Sequence, residues 1–237
     1  MLIALALATA DPAAFLAAVR ALDLPRVEQM LSADPSLAAA RDAKGSAVSS
    51  ALGARRGKEG FLPRRDNRVL DAILKLHPPL TSLEVCSVGT ASEVSAQIAK
   101  DPAFARSYAS NGWTPLHAAA FANNAAAAAI LIAAGAEVDA RAKNRFDNTP
   151  LQVSMLTESA DAAKVLIAHG ANVNARMSEG YTALHEAAFN GDVVSIRMLL
   201  AAGADPSLRV PDGRTAVDLA RAAKHDDAAR LLQTRQQ

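Results

Sequence analysis

Apolar residues along this chain come in short bursts at helical spacing, and the bursts come in pairs. Phe15, Leu16 and Val19 share one helical face, and Val27, Met30 and Leu31 share the next. Val69, Ile73 and Leu76 predict another helix, as do Val94 and Ile98. Leu116 opens a face that continues into Ala118, Ala119 and Ala120, small residues that let a second backbone come close. Val217, Leu219, Leu231 and Leu232 form the last inward set. No pair can bury its own apolar face, so the pattern predicts an all-α chain whose helix pairs stack on one another.

The starts and stops of these bursts recur together. Asn111-Gly-Trp-Thr-Pro-Leu-His117 returns as Asn148-Thr-Pro-Leu-Gln152, Gly180-Tyr-Thr-Ala-Leu-His185 and Gly213-Arg-Thr-Ala-Val-Asp218. Each threonine is placed to cap a helix, with Pro115 at a first helical position where a missing N–H costs nothing. Thr114, Thr149, Thr182 and Thr215 lie 35, 33 and 33 residues apart. The endings also match: Leu131-Ile-Ala-Ala-Gly135, Leu166-Ile-Ala-His-Gly170 and Leu199-Leu-Ala-Ala-Gly203, with the glycine where a left-handed residue closes a helix. A fixed period of about 33 residues marks a stacked repeat. Through Thr-Pro-Leu-His-x-Ala-Ala and Leu-Ile/Leu-x-x-Gly-Ala-x-Val-Asn/Asp the sequence resembles the ankyrin repeat family. The resemblance is strong over 111–208, fair to 232 and weak before 107. It implies a solenoid of about seven units with short hairpins and a concave groove.

The expected organisation is a single repeat domain over 1–237. Residues 11–110 hold degenerate units, 111–210 the clear repeats, and 211–237 a C-terminal cap with Lys224, His225, Asp226, Asp227 and Arg230 facing water. In the degenerate units Asp34-Pro35 and Asp101-Pro102 stand in for the glycine stop, and Leu22-Asp23-Leu24-Pro25 reads as a turn. Only Gly45 and Ala47-Val48 keep a trace of the start signal in the second unit. An insertion over 53–67 carries Arg55, Arg56, Lys58, Arg64 and Arg65, and reads as a mobile surface loop pinned by Phe61-Leu62. Two extra residues between Gly135 and Thr149 lengthen one hairpin around Lys143–Phe146.

Composition narrows the function classes. The formal charge is +1, so no strong field favours nucleic acid or an anionic membrane. A single cysteine, Cys86, excludes an intramolecular disulfide and a cysteine-rich zinc site. Met1–Ala10 is apolar and ends in small residues, but no basic residue precedes it and it is too short to span a bilayer. It reads as a lead-in covering the first repeat of a cytoplasmic protein. The alternative is a signal segment, which would place the chain in the periplasm or outside the cell.

Candidate chemistry is sparse. His117 and His185 hold the fourth place of the Thr-Pro-Leu-His signature, where the resemblance implies hydrogen bonds between neighbouring repeats. His77, His169 and His225 have no ligand-type residue at metal spacing, so no metal and no cofactor is expected. Cys86 has no local base and reads as a buried structural thiol. Gly53-Ala-Arg-Arg-Gly57-Lys58 is one residue short of a phosphate loop and lacks the following hydroxyl residue. The basic insertion reads as a solvated loop rather than a polyanion site, because it lacks interleaved aromatics.

The remaining signal is aromatic. Trp113 and Tyr181 precede capping threonines, Phe121 and Phe189 sit seven residues after them, and Phe146 lies in the long hairpin. By the resemblance these five of nine aromatics map to one concave surface, with Arg145 and Arg214 as a polar rim. Aromatics and arginine anchor protein interfaces. The sequence therefore predicts a non-catalytic protein–protein interaction module, a monomeric chain that binds a partner through the concave face and hairpin tips of the stack. A dedicated regulatory or inhibitory subunit of one enzyme is the alternative, and an enzyme using 42–80 and Cys86 comes third.

Overall fold

The computed structural model of the chain describes residues 11–54, 56, 57, 60, 61 and 67–234. They form fourteen α-helices in seven consecutive pairs, in an all-α ankyrin-type arrangement with short hairpins. The chain divides into two compact units, Met1–Thr81 and Ser82–Gln237.

The first unit holds two pairs. Asp11 caps α1 (Pro12–Arg20) by accepting from the Ala13 N–H, and α1 buries Phe15, Leu16, Ala18 and Val19. Asp23 caps α2 (Leu24–Ala33), so Leu24-Pro25 is the first turn of a helix and not part of the linking turn. Proline is tolerated there because a first-turn N–H has no intrahelical acceptor. The link is tightened instead by Leu22, whose φ of 55° is left-handed. After α2 the chain leaves through Asp34 in an extended conformation, and Asp34 caps a 3-10 turn, Pro35–Ala39. The Asp-Pro ending thus replaces a left-handed exit with an extended one. A hairpin follows, pairing Arg41–Asp42 with Gly45–Ser46. The Arg20 guanidinium grips both Asp42 oxygens at 2.7 and 2.8 Å and holds that carboxyl below its usual range.

The second pair is α3 (Ala47–Ala54) and α4 (Arg68–Leu74), which bury Val48, Leu52, Val69 and Ile73 among others. Leu76 falls outside α4 and is 40% exposed, because the helix has already ended at Leu74. Within the insertion Arg56–Gly57 pairs antiparallel with Gly60–Phe61. Gly53 and Ala54, expected in the insertion, end α3, and Asn67 stands at the start of α4; the remaining insertion residues, and the Phe61-Leu62 contact expected of them, lie outside the described residues, as does Met1–Ala10.

The second unit stacks five pairs: α5 (Ser82–Val88) and α6 (Ala91–Lys100), α7 (Pro115–Ala122) and α8 (Ala125–Ala133), α9 (Pro150–Leu156) and α10 (Ala160–Ala168), α11 (Ala183–Asn190) and α12 (Val193–Ala201), α13 (Ala216–Ala222) and α14 (Asp226–Gln233). All four threonines cap their helices and engage the side chain three residues on. Gly135, Gly170 and Gly203 have φ of 88, 84 and 90°, as the stop reading requires. At Gly135 a Cβ would also meet the Arg106 guanidinium at 2.5 Å. One core cluster runs from Cys86 to Leu232. Leu131, Leu166, Leu199 and Leu232 recur once in each of the last four pairs and are all fully buried. The alanines of the first helices, such as Ala119 and Ala187, are equally buried, so area is removed from water by close backbone approach.

Cys86 sits in this core at 0% exposure, and burial pushes its thiol up to about 12. Only the thiolate attacks an alkylating agent. The folded chain is therefore expected to resist iodoacetamide near neutral pH and to react only on unfolding in urea. Rapid labelling of folded chain would contradict the buried-thiol assignment.

Candidate partner-binding face

The site expected from the sequence lies on the second unit, where hairpins join each second helix to the next first helix. Every hairpin is closed by one equivalent bond: Ala109 N–H to Trp113 O, Ala142 to Asn148, Met177 to Tyr181 and Val210 to Arg214, at 2.8 to 2.9 Å. The Ala142–Asn148 hairpin spans two more residues than the others, so the lengthened hairpin lies where the spacing placed it. Neighbouring tips are tied by Lys143 N–H to Gly112 O at 2.8 Å and by Ser178 N–H to Phe146 O at 3.1 Å.

His117 and His185 link successive units from beneath. The Thr114 N–H donates to His117 Nδ1 at 3.2 Å, which leaves the proton on Nε2 to meet Asn148 O at 3.0 Å. His185 repeats this with the Thr182 N–H and Leu208 O, at 3.2 and 3.1 Å. Gln152 fills the same place in the unit between, its Nε2 donating to Ala175 O and Tyr181 O. Burial depresses the His117 ring to about 4, against a weaker opposing pull from Asn148 O. His185 is lowered as well, by burial first, with the Arg176 charge adding to it. Both rings are neutral structural bridges. Among the described residues no group of three His, Cys, Asp or Glu side chains gathers to hold a metal.

The aromatic residues divide. Trp113 stacks on the His117 ring at 6.2 Å and meets Phe121 at 5.3 Å, so this pair is half-covered by its own unit. Tyr181 meets His185 edge-on at 6.0 Å. Phe146 lies under the Arg145 guanidinium at 4.6 Å. Phe189 stays 54% exposed, and Val194 just beyond it is 63% exposed. Val194 went unnoticed in the sequence, although aligning units shows it where Ala126, Asp161 and Asp227 stand elsewhere. The row has a gap in its middle unit: Asn148 and Leu156 take the places of Trp113 and Phe121, and Asn148 is 3% exposed. Arg214 is exposed but bound to Asp212, Nε to Oδ2 at 2.7 Å, so its charge is shared with a carboxylate.

Two cations outside the expected set complete the edge. Lys143 Nζ lies 3.8 Å above the Tyr108 ring. Arg176 Nη1 donates to Gly180 O at 3.0 Å and to Arg209 O at 2.8 Å. Tyr108, Arg141, Arg176 and Arg209 occupy one equivalent position in four successive hairpins, a column visible in the sequence once the units are aligned.

With this geometry in view, comparison with known proteins is informative. Residues 111–143 match the family model for the ankyrin repeat, and 137–210 match that for ankyrin repeats in three copies. A human protein, espin-like protein, is 47% identical over 55 residues, a match covering 23% of this chain and 6% of that protein. The aligned part is thus a small fraction of that relative. No helix among the described residues is long and apolar enough to cross a membrane.

Proposed function

We propose, from the premise that residues 111–210 are ankyrin repeats, that this chain binds one protein partner through the groove and hairpin tips of its second unit and carries out no catalysis itself. Ankyrin repeats are generally protein–protein interaction modules. Trp113, Phe121, Phe146, Tyr181 and Phe189 are the anchors of this reading, with Arg145 and Arg214 at the rim. The observation that carries it is Phe189. A large ring left 54% exposed at a helix end still has about half its surface in water, while its counterpart Phe121 packs on Trp113. Rings of this kind supply binding energy once a partner removes them from water. Arg214 contributes less than an unpaired arginine because Asp212 already holds it.

The test is the double substitution Tyr181→Ala with Phe189→Ala, two side chains that reach the surface. Immobilised full chain should retain a stoichiometric partner from cell extract. The variant is expected to lose about tenfold or more of that capture while its urea midpoint stays within about 1 kcal/mol of the parent. Capture unchanged in the variant would remove these rings from the binding face.

A further inference from the structure

The hairpins of the second unit carry more positive charge than the groove floor or the chain as a whole. Segments 141–147, 176–181 and 209–214 hold six cations, Arg141, Lys143, Arg145, Arg176, Arg209 and Arg214, against three carboxylates, Asp147, Glu179 and Asp212, a surplus of +3 in a chain whose total is +1. Two of the six are spent on ion pairs, Arg141 with Asp147 and Arg214 with Asp212. The other four are exposed and positioned by neutral groups. Lys143 rests on the Tyr108 ring, Arg145 on Phe146, Arg176 on two carbonyls and Arg209 on Gly213 O at 2.7 Å. A ring face or a carbonyl orients a cation without cancelling its charge. Arg209 also lies in the field of the Asp218 carboxylate. Beside the first of these hairpins the floor is uncharged, since neither α7 nor α9 contains an ionisable residue other than the neutral, buried His117; further along, α11 carries Glu186 and α13 carries Asp218 and Arg221.

We infer that the hairpin edge of the second unit takes an acidic, extended protein segment, its carboxylates along Lys143, Arg145 and Arg176 and its apolar side chains against the neighbouring rings. The inference rests on the partner-binding reading above and specifies the partner's chemistry. Charge complementarity selects the class, since these three pre-positioned cations beside the apolar faces of α7 and α9 match carboxylates interleaved with apolar groups. A nucleic acid fits less well. The Trp113 ring is already occupied by His117 and Phe121, and a +3 surplus releases few counterions.

A displayed library of random peptides, selected on the full chain, tests this. Enriched sequences should be net acidic with aromatic or aliphatic residues between the carboxylates. The best of them, as a synthetic peptide, should bind the Lys143→Glu, Arg145→Glu variant about tenfold or more weakly, mostly through slower association, and should weaken as salt rises from ~50 to ~500 mM. Lys143→Ser with Arg145→Ser should give a smaller loss of the same sign, which separates charge from any disturbance of the hairpin. Enrichment of neutral or basic peptides that ignore both charge variants but are lost with Tyr181→Ala, Phe189→Ala would overturn the acidic partner and leave the groove reading standing. Peptides indifferent to both sets, or no enrichment over blank support, would remove both readings. Oligothymidylate binding tighter than the best acidic peptide, and lost with the charge reversals, would overturn the protein class.

Discussion

Leu166→Ala is expected to lower the stability of the second unit by about 2–5 kcal/mol, read as a fall in the urea midpoint. Leu166 is fully buried and belongs to a column, Leu131, Leu166, Leu199 and Leu232, with one leucine in each of the last four helix pairs. Truncation removes the transfer energy of the side chain and leaves a cavity in a core rich in leucine and alanine. Its neighbours cannot close it cheaply, because their backbones are already in near contact. A domain has only about 5–15 kcal/mol in total, so this single loss is a large share. The stack also directs where the damage shows. Each pair is buried by the pairs beside it, so hydrogen exchange should rise most in α9 to α12 and least in α5 and α6. A loss under about 1 kcal/mol, with uniform protection, would mean that the column does not carry the stacking.

Acid should destabilise the second unit well before its carboxylates titrate. The His117 ring falls from an ordinary 6.5 to about 4 on folding, mainly through burial. The unfolded chain therefore binds the proton first. Stability is full above about 6.5, is lost as pH falls from there to about 4, and then levels off for this group. At ~1.36 kcal/mol per pH unit the loss from His117 is about 3 kcal/mol. His185 shifts in the same direction and adds to it. The geometry gives a second reason, since a protonated Nδ1 could no longer accept from the Thr114 N–H. The chain itself supplies the control. Gln152 makes the same two bonds without titrating, Thr149 N–H to Oε1 at 2.8 Å and Nε2 to Ala175 O at 2.8 Å. His117→Gln should hold most of its stability at pH 7 and flatten the urea-midpoint profile between pH 4 and 6.5. A profile as steep as the parent's would show that the titration lies elsewhere. Asp218 and the other paired carboxylates work in the opposite sense of charge but the same sense of pH, their contribution going only below about 3.8.

Much of the fold was legible because its signals are local. A capping threonine, a first-turn proline and a stop glycine each act within one turn, so helix starts at Pro115, Pro150, Ala183 and Ala216 follow from a few residues. Reading was weaker where the cue was ambiguous. Leu24-Pro25 looked like a turn, because proline both ends helices and begins them. Leu76 kept helical spacing but the helix had already stopped. In the candidate face, position in the repeat singles out five rings and two arginines, but it says nothing of their packing or pairing. Nothing near Arg214 in a helical or strand pattern announces that Asp212 folds back onto it.

The sequence by itself determined the helix caps, the glycine stops and the inward leucines of the clear repeats, since each depends on residue type at a fixed spacing, while the histidine bridges between repeats were implied by the family resemblance. Tertiary structure alone decided that Phe121 is half-covered by Trp113 while Phe189 stays exposed, that Asn148 sinks between two aromatic units, and that Lys143 lies on Tyr108 from the preceding hairpin. Those outcomes depend on the size and rotamer of side chains about one repeat away, and packing between repeats sets them only once the backbones have met.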